Sequence, residues 1–389
     1  MARLGDYIEQ IRGVSYKPED ICASTDVDAV AILRANNIQD DGLIFDDLVY
    51  VKKDKVSAKQ YIQKGDIVVC ASSGSKNLVG KAAIVNEDME ISFGAFCKVI
   101  RPKKLMPSYI GHYFQSPKYR NKISELAGGA NINNIRNEHI DDLDIVVPNT
   151  DEQERISIEL NKVGGLISLR KQQLSKLDEL IKSRFIELFG DPVTNEKNWS
   201  RLTLGDICEI GSSKRVFEKD YVPKGVPFFR TKEIVELSKG NSISTELFIP
   251  EEYFAELKKS YGAPKKDDLL ISAVGTIGTI WIVSGDFDFY FKDGNLIQIK
   301  SSSNFNSIFM KYLLDELIAN YKKEMSTGTA YSALTIAGLK KMLVYDVPLD
   351  LQEKFASFVE QVDKSKFEIQ QSLEKLETLK KALMQKYFG

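Results

Sequence analysis

The sequence predicts an α+β protein with a pseudo-two-fold internal repeat, in which two similar globular domains are separated by two long antiparallel helices that form a coiled coil. The first observation is the segment VPNTDEQERI at residues 147–156, which returns as VPLDLQEKF at residues 347–355. The second is that each copy of this segment leads into a long stretch with heptad spacing of apolar side chains. The third is that short β-like runs and helical patterns fill the rest of each half, which is typical of α+β domains.

The composition is that of an ordinary globular protein. With 389 residues, 43% hydrophobic and 28% charged, the chain is long enough for two or three domains, each with its own core. A membrane span needs about 20 consecutive apolar residues, and the apolar runs here are much shorter. The first residues, MARLGDYIEQ, carry charges where a signal peptide has an apolar stretch. We therefore expect a cytoplasmic protein that does not engage a membrane.

The net charge of −2 conceals a basic segment. Residues 52–81 hold seven lysines and two acids, whereas acids concentrate elsewhere, as in DDLD at 141–144. A basic face on a nearly neutral body is compatible with this distribution. Two histidines, and four cysteines without a C-x-x-C pair, leave little material for a metal site or for histidine-based catalysis.

The tail of each half is the better preserved part of the repeat. Gln153 aligns with Gln352 at an offset of 199. The alignment then runs without a gap to the end of the chain, where Phe388 corresponds to Phe189. A tail kept under duplication indicates a shared structural role.

The bodies of the two halves match at scattered positions. The tripeptide LGD occurs at 4–6 and again at 204–206. Arg34 of VAILRANNI corresponds to Arg230 of VPFFRTKEI, which suggests a shared phosphate-binding or structural role for these two arginines. Elsewhere the bodies have diverged, which is the pattern expected if they bind different targets.

Each tail has the pattern of one long amphipathic helix. Positions spaced alternately four and three residues apart are apolar at eight of ten places from Ile156 to Leu188, and again from Phe355 to Tyr387. Acids near each start favour the helix dipole, and Gly190 is a typical helix end. Since such a helix cannot bury its seam alone, we predict that the two helices pair, the alternative being an ordinary helical hairpin inside a larger core. The predicted seam includes Leu160, Ile167, Leu174, Leu177, Ile181, Val359, Ile369, Leu373, Leu376 and Leu383.

The repeat predicts four segments along the chain. They are a first domain at 1–149, a central helix at 150–190, a second domain at 191–348 and a C-terminal helix at 349–389. No long segment precedes the first LGD, so we expect the chain ends to meet in a circular arrangement. The clearest β-like runs are at 66–72, 81–85, 268–274 and 279–283, with helical patterns near 107–126 and 306–325.

Polar loop residues in each domain are candidates for DNA contacts, because base edges and phosphates are bound by exposed Arg, Lys, Asn, Gln, Ser and Thr. For each residue the alternative is a solvated loop position without a ligand. The candidates in the first domain are Arg34, Asn36, Asn37, Ser72, Ser73, Ser75, Lys76, Asn77, Lys81, Asn131, Asn133, Asn134 and Arg136. Those in the second are Ser212, Ser213, Lys214, Arg215, Arg230, Thr231, Lys232, Thr276, Lys292 and Asn295.

No pattern in the sequence indicates a catalytic site. GSKNLVGKA at 74–82 departs from a phosphate-binding loop, since its glycine spacing is one residue too long and Ala82 replaces Ser or Thr. GTIG at 275–278 is too short for a dinucleotide fingerprint. The chain has no Pro-Pro dipeptide, so the Asn/Asp-Pro-Pro-aromatic motif of amino-methyltransferases is absent. We predict a chain without catalytic residues, metal ligands or a cofactor of its own.

The doubled arrangement resembles the specificity (S) subunits of type I restriction-modification systems. The resemblance rests on LGD opening each half, LRANNI at 33–38, the V-P…Q-E block before each long helix, and the LFGD and YFG helix ends. It implies two target-recognition domains, each reading one half of a bipartite sequence in double-stranded DNA, with the coiled coil setting the spacing. It also implies a non-catalytic subunit that recruits two modification (methyltransferase) subunits and two restriction subunits. S-adenosylmethionine, ATP and Mg are then expected on those partners.

Two other hypotheses remain open at this point. One is an adaptor with two protein-binding or carbohydrate-binding domains on a coiled-coil strut, which would show no salt-dependent affinity for DNA. The other is a subunit of a methyltransferase that lacks the nuclease, which gene neighbours would distinguish. The nearly neutral charge predicts weak DNA binding by this chain without its partners.

Overall fold

The computed structural model describes residues 1–128, 133–326 and 333–389. It divides into two compact units: unit 1 comprises residues 1–174 and 369–389, and unit 2 comprises residues 175–368. Residues from both ends of the chain therefore belong to unit 1. The predicted mixture of helices and strands, built twice, is confirmed, whereas the predicted four-segment division stays a prediction.

Unit 1 joins short strands to three helices of its own and to parts of the two long helices. Its strands are β1 (Ala2–Arg3), β2 (Ile8–Arg12), β3 (Ala29–Leu33), β4 (Ile38–Gln39), β5 (Gly42–Leu43), β6 (Val49–Lys52), β7 (Ile67–Cys70), β8 (Ser72–Ser73), β9 (Ala82–Ile84), β10 (Ile91–Phe93), β11 (Cys97–Pro102), β12 (Asn133–Asn134) and β13 (Asp144–Ile145). Its helices are α1 (Pro107–Gln115), α2 (Pro117–Leu126), α3 (Asn137–Asp141), the first part of α4 (Thr150–Phe189) and the last part of α10 (Leu349–Phe388).

Two small sheets organise unit 1. Strands β2, β11, β7 and β9 form an antiparallel sheet in that order, and β10, β3 and β6 form a second sheet in which β3 and β10 are parallel. Strand pairs β1–β13, β4–β5 and β8–β12 complete the connections. Apolar residues of β7 and β11 pack against α1 and α2, so the core lies between the antiparallel sheet and these helices.

Unit 2 repeats this plan. Its strands are β14 (Arg201–Thr203), β15 (Ile210–Gly211), β16 (Val226–Phe229), β17 (Phe248–Ile249), β18 (Leu269–Ser272), β19 (Ile280–Ile282), β20 (Tyr290–Phe291), β21 (Leu296–Ile299) and β22 (Leu343–Tyr345). Its helices are α5 (Leu204–Ile207), α6 (Thr231–Ser238), α7 (Glu251–Tyr261), α8 (Ser307–Ser326), α9 (Ile336–Lys341) and the first part of α10 (Leu349–Phe388), together with the second part of α4.

The sheets of unit 2 correspond strand by strand to those of unit 1. The order β15, β21, β18, β19 matches the antiparallel sheet, and β16 pairs in parallel with β20 as β3 does with β10. The four predicted β-like runs are thus confirmed as β7, β9, β18 and β19. The helical pattern at 107–126 is broken where Ser116 caps one helix and Pro117 starts the next, whereas α8 is continuous.

The repeated LGD tripeptide closes each unit onto its last small strand. The amide of Leu4 donates to the carbonyl of Leu143 at 2.8 Å. In unit 2, the amide of Leu204 donates to the carbonyl of Met342, also at 2.8 Å. A Cβ on Gly5 would lie 2.9 Å from the Cβ of Asp141. Glycine is needed there because the backbone approaches a helix closely.

The repeated glutamine of the V-P…Q-E block is buried and makes two hydrogen bonds, and we call this pair of bonds the glutamine bracket. The carboxamide of Gln153 accepts from the amide of Met106 at 3.0 Å and donates to the carbonyl of Pro148 at 2.9 Å. That of Gln352 makes the equivalent pair of bonds, each at 2.8 Å. Each bracket ties the start of a long helix to its own domain, which explains why this segment occurs twice.

Candidate nucleic-acid interface

The carboxyl ends of two parallel strands bring two polar loops of unit 1 to one sheet edge. Since β3 and β10 are parallel, the residues after Leu33 and after Phe93 leave the sheet on the same side. The amide of Gly94 donates to the carbonyl of Leu33 at 2.9 Å, which joins the loop 34–37 to the loop 94–96. These two loops form part of a surface that we name edge 1.

Two further chain segments join edge 1 through the backbone of Phe96. Its carbonyl accepts from the amide of Ala71 at 2.8 Å and from that of Ser72 at 3.0 Å. Strand β8, which contains Ser72, pairs with β12, and the amide of Ile135 donates to the carbonyl of Ala71 at 2.8 Å. Edge 1 therefore comprises the loops after β3, β8 and β10 together with residues 133–136.

Unit 2 builds the same frame with different residues. Lys292 donates its amide to the carbonyl of Phe229 at 2.8 Å, which joins the loops after β20 and β16. Ala273 donates to the carbonyl of Asn295 at 2.8 Å, and Leu334 donates to that of Ala273 at 3.3 Å. We name this surface, with residues 212–215, edge 2.

Most predicted DNA-contact residues of the first domain lie on or beside edge 1. Asn36, Ser75, Lys76, Asn77, Asn134 and Arg136 are exposed, and Arg34, Ser72, Ser73 and Lys81 are half-buried. Asn37 is fully buried, where its carboxamide accepts from the amide of Arg34 and donates to the carbonyl of Asp46. That side chain therefore supports the loop and does not face a ligand. Asn131 lies outside the described residues, and Asn133 contributes backbone pairing in β12.

The predicted residues of the second domain gather in the same way on edge 2. Ser212, Lys214, Arg215, Lys232 and Thr276 are exposed, and Ser213, Arg230, Thr231, Lys292 and Asn295 are half-buried. The hydroxyls of Ser212 and Ser213 donate to the carbonyls of Leu296 and Phe291, at 3.0 and 2.6 Å, so these serines hold the frame together.

Acidic side chains neutralise many of the predicted cations. Arg34 pairs with Asp47 at 2.6 Å, and Arg215 pairs with Asp293 at 2.8 Å. The further pairs are Lys81 with Asp40, Arg136 with Glu138, and Lys232 with Glu246. Phosphates would have to compete with these carboxylates, which fits weak DNA binding by this chain alone.

The corresponding arginines of the repeat share a structural role. The amide of Arg34 donates to Asn37, and the amide of Arg230 donates to Glu233, so each arginine starts a capped turn. The guanidinium of Arg230 lies 2.8 Å from Glu233 and 2.8 Å from Glu246, and these hydrogen bonds raise its pKa. The structural interpretation of this pair is therefore favoured over a shared phosphate contact.

A buried lysine supports edge 1 from below. Lys98, two residues past Phe96, donates to Asn137 Oδ1 at 2.6 Å and to Gln10 Oε1 at 3.1 Å. Burial lowers the pKa of this ammonium to about 8. The hydrogen bonds hold the start of α3, and with it Arg136, against the sheet.

The edges also carry exposed apolar side chains, which are not among the predicted contact residues. Phe96 is 66% exposed on edge 1, and Val274 is 46% exposed on edge 2. The signal available in the sequence was a bulky apolar residue close to a glycine turn, at the end of a β-like run for Val274 and just before one for Phe96.

The long helices pack against each other within each unit. In unit 1, the hydroxyl of Tyr387 donates to Glu159 Oε2 at 2.5 Å, so the end of α10 lies beside the start of α4. In unit 2, Lys366 lies 2.7 Å from Asp178, and the ring of Phe355 lies 5.5 Å from that of Phe185. Both sets of contacts show antiparallel packing.

The burial of the predicted seam agrees with this packing. Each of the ten heptad positions in each helix is buried or half-buried. Among the seam residues named above, Leu160, Ile167, Ile181, Val359, Leu373 and Leu383 are buried, and Leu174, Leu177, Ile369 and Leu376 are half-buried. Gly190, at φ +77°, ends α4 as predicted.

Within the described ranges, no group of three or more His, Cys, Asp or Glu side chains is placed to hold a metal ion. In the same part of the chain, none of the helices combines the length and apolarity that a bilayer crossing requires.

A family model described as the type I restriction modification DNA specificity domain matches the chain twice, at residues 1–179 and 196–381. The chain belongs to this type I specificity family. The StySPI specificity subunit of Salmonella potsdam is 30% identical over 97% of this chain and 86% of that protein. The EcoKI specificity subunit of Escherichia coli K12 is 42% identical over 44% of this chain and 37% of that protein.

Solved structures of the family share the fold. The S subunit of the type I restriction-modification system from M. genitalium aligns with all of this chain and 95% of its own length, with a TM-score of 0.59 at 16% identity. A chain from a study of the assembly and conformational transition of the type I R-M system aligns with a TM-score of 0.52, also at 16% identity, over 100% of this chain and 99% of its own. The specificity family thus accounts for the doubled α+β plan, and its members recognise DNA target sequences.

Proposed function

We propose that each unit of this specificity subunit reads one half of a bipartite DNA target, through edge 1 in unit 1 and edge 2 in unit 2. The observation that carries the proposal is the pair of equivalent edges, in which the backbone hydrogen bonds are kept and the side chains differ. A conserved frame with changed side chains is what two readers of different base sequences need, because base edges are distinguished by side-chain chemistry.

We also propose that the long helices form an antiparallel coiled coil that sets the distance between the two half-sites. The buried heptad positions and the antiparallel contacts inside each unit support this role. A helix rises about 1.5 Å per residue, so removing one heptad shortens it by about 10 Å. That length equals about three base pairs of B-DNA.

Partner subunits would dock on the outer faces of these helices. Leu180 and Leu379 occupy equivalent positions of the repeat, outside the seam, and are 46% and 45% exposed. Exposed apolar side chains at matched places suit two copies of one protein partner. On this proposal the chain is non-catalytic and cytoplasmic. Two modification subunits supply S-adenosylmethionine-dependent adenine methylation, and two restriction subunits supply the ATP- and Mg-dependent steps.

The experiment is a methylome of cells that express this chain with the modification subunit of the same system. Single-molecule sequencing should detect N6-methyladenine in a two-part motif with an unspecified gap. Exchanging residues 1–149 for those of another family member should then change only one half of the motif. If both halves changed together, the two-reader proposal would be wrong.

A variant with two matched deletions tests the spacer role. Deleting residues 168–174 and 370–376 removes one heptad from each helix and preserves the phase of the seam. The gap in the motif should shorten by about three base pairs, or methylation should cease. An unchanged gap in an assembled complex would refute the role. An assembled wild-type complex without any methylation would favour the adaptor hypothesis.

A further inference from the structure

The backbone places Phe96 and Asn295 at the same point of the two edges. The carbonyl of Phe96 accepts from Ala71 at 2.8 Å, and the carbonyl of Asn295 accepts from Ala273 at 2.8 Å. Each residue directly precedes the second strand in the order of its antiparallel sheet, β11 in unit 1 and β21 in unit 2. The two positions are therefore equivalent, although a large apolar side chain occupies one and a carboxamide the other.

The residue after each alanine shows the reverse exchange. Ser72 follows Ala71 on edge 1, and Val274 follows Ala273 on edge 2. Edge 1 thus combines an exposed phenylalanine with a half-buried serine, and edge 2 combines a half-buried asparagine with an exposed valine. Each edge therefore presents one apolar and one polar side chain at these two positions, and the apolar one comes from a different chain segment in each unit.

An apolar side chain among polar ones can distinguish bases without a hydrogen bond. Phe96 is 66% exposed, and its carbonyl accepts from the amide of Ser72, which pairs across the strands with the exposed Asn134. Its ring offers no donor or acceptor to the edge of a guanine, an adenine or a cytosine. The 5-methyl group of thymine is the apolar feature of the major groove, and apolar side chains contact it directly.

We propose that Phe96 contacts the 5-methyl group of a thymine in the half-site read by unit 1, and that Val274 has the same role in unit 2. The inference rests on the proposed function, because it assigns a base to one position of each reading edge. The thymine-reading residue then precedes the second strand of the antiparallel sheet in unit 1 (Phe96, before β11). In unit 2 it follows the neighbouring strand (Val274, after β18).

The test replaces thymine by uracil, which lacks only the methyl group. Once the methylome has supplied the motif, duplexes with uracil at each thymine of the unit 1 half-site are titrated against the assembled methyltransferase complex. One replacement should weaken binding by about fourfold, which corresponds to the burial of one methyl group. In a complex with Phe96→Ala, the same replacement should have no effect.

Phe217→Ala is the matched control, since Phe217 is 55% exposed but belongs to unit 2. That variant should keep the uracil effect in the unit 1 half-site. A half-site without thymine, or a uracil effect that survives Phe96→Ala, would overturn the proposal. If Phe96→Ala weakened binding relative to wild type by the same factor on the thymine and uracil duplexes, Phe96 would act by base unstacking and not through the methyl group, which would also overturn the proposal.

Failure of this inference is distinguishable from failure of the proposed function. If the methylome shows a two-part motif and the uracil series shows no dependence on Phe96, only the thymine contact is wrong. If no two-part motif exists, the two-reader proposal itself fails. Val274→Ser supplies an independent check, because it should remove a uracil effect in the other half-site while leaving the first unchanged.

Discussion

The ring of Phe388 lies 5.2 Å from the ring of Tyr109, centroid to centroid. The equivalent rings of unit 2, Phe189 and Phe309, lie 4.7 Å apart. In each unit, the helix that ends against the domain belongs to the other copy of the repeat. The duplication has therefore produced a reciprocal arrangement, in which each domain is closed by the helix end of its counterpart.

Truncating this contact should destabilise unit 1. Phe388 is 3% exposed, so Phe388→Ala removes a buried ring and should cost about 3–5 kcal/mol in the free energy of unfolding. Denaturant unfolding measures the loss. Phe367→Ala on the same helix is the control, because Phe367 is 64% exposed and its truncation should change stability by less than about 0.5 kcal/mol. Equal effects of both variants would mean that the helix end does not pack as described.

Removing the glutamine bracket should loosen the junction between domain and helix. Gln352→Met keeps the volume but leaves the amide of Asn306 and the carbonyl of Val347 without their partner. The expected cost is about 2 kcal/mol, with faster hydrogen exchange at the amide of Asn306. Gln371→Met changes an exposed glutamine of the same helix and should have little effect. Unaltered exchange at Asn306 would show that the bracket is dispensable.

Two glycines inside α4 should be replaceable with a gain in stability. Gly164 and Gly165 are helical, and a Cβ added to either would meet no atom within 4 Å. Each change to alanine should therefore stabilise the protein by about 1 kcal/mol, through the higher helix propensity of alanine. Gly80→Ala is the opposite control, since φ is +79° there and the new Cβ would lie 2.7 Å from Ile123 Cγ2. In thermal unfolding, Gly164→Ala and Gly165→Ala should melt above wild type and Gly80→Ala below it. A destabilised Gly164→Ala would contradict the local geometry.

A charge in the seam should destabilise the helix pair. Leu373 is 6% exposed, so Leu373→Lys buries an unpaired ammonium and should cost about 3 kcal/mol or more. Leu379→Lys places the same charge on an exposed position and should leave the melting temperature unchanged. Differential scanning calorimetry compares the two. Normal melting of Leu373→Lys would mean that the seam is misassigned.

Acid should weaken unit 1 through His112. Burial lowers the pKa of this imidazole to about 4 in the folded protein, against an ordinary value of about 6.5, and Nε2 lies 2.8 Å from Asn161 Oδ1. Because the folded state favours the neutral ring, its stability is fully present above about pH 6.5 and declines as the pH falls towards 4.

His112→Gln should reduce this acid sensitivity by on the order of 2 kcal/mol between pH 7 and pH 4, since solvent partly screens the half-buried ring. Urea unfolding at the two pH values measures the difference. His139→Gln is the control, since His139 lies near the surface and its variant should keep most of the acid sensitivity. An identical pH dependence in wild type and His112→Gln would remove His112 as the cause.

The residues of the candidate site could be predicted from the sequence, but their burial and their ion pairs could not. The sequence indicated Arg34, Arg230 and the serines after β7 as interface residues, and the structure places them at two equivalent edges. It also shows that Arg34 is paired with Asp47 and that Asn37 is buried. Both outcomes depend on which loops face each other, which residue type alone does not reveal.

By itself, the sequence determined the duplication, the long helices and the residues of their seam. These features follow from periodicity along one segment, because a helix presents every third or fourth side chain on the same face whatever surrounds it. Only the tertiary structure decided that the loops after Leu33, Ala71 and Phe93 share one edge and that Phe96 stands exposed on it. Their meeting depends on the order and direction of strands far apart in the chain, and that order is set by packing of the whole unit.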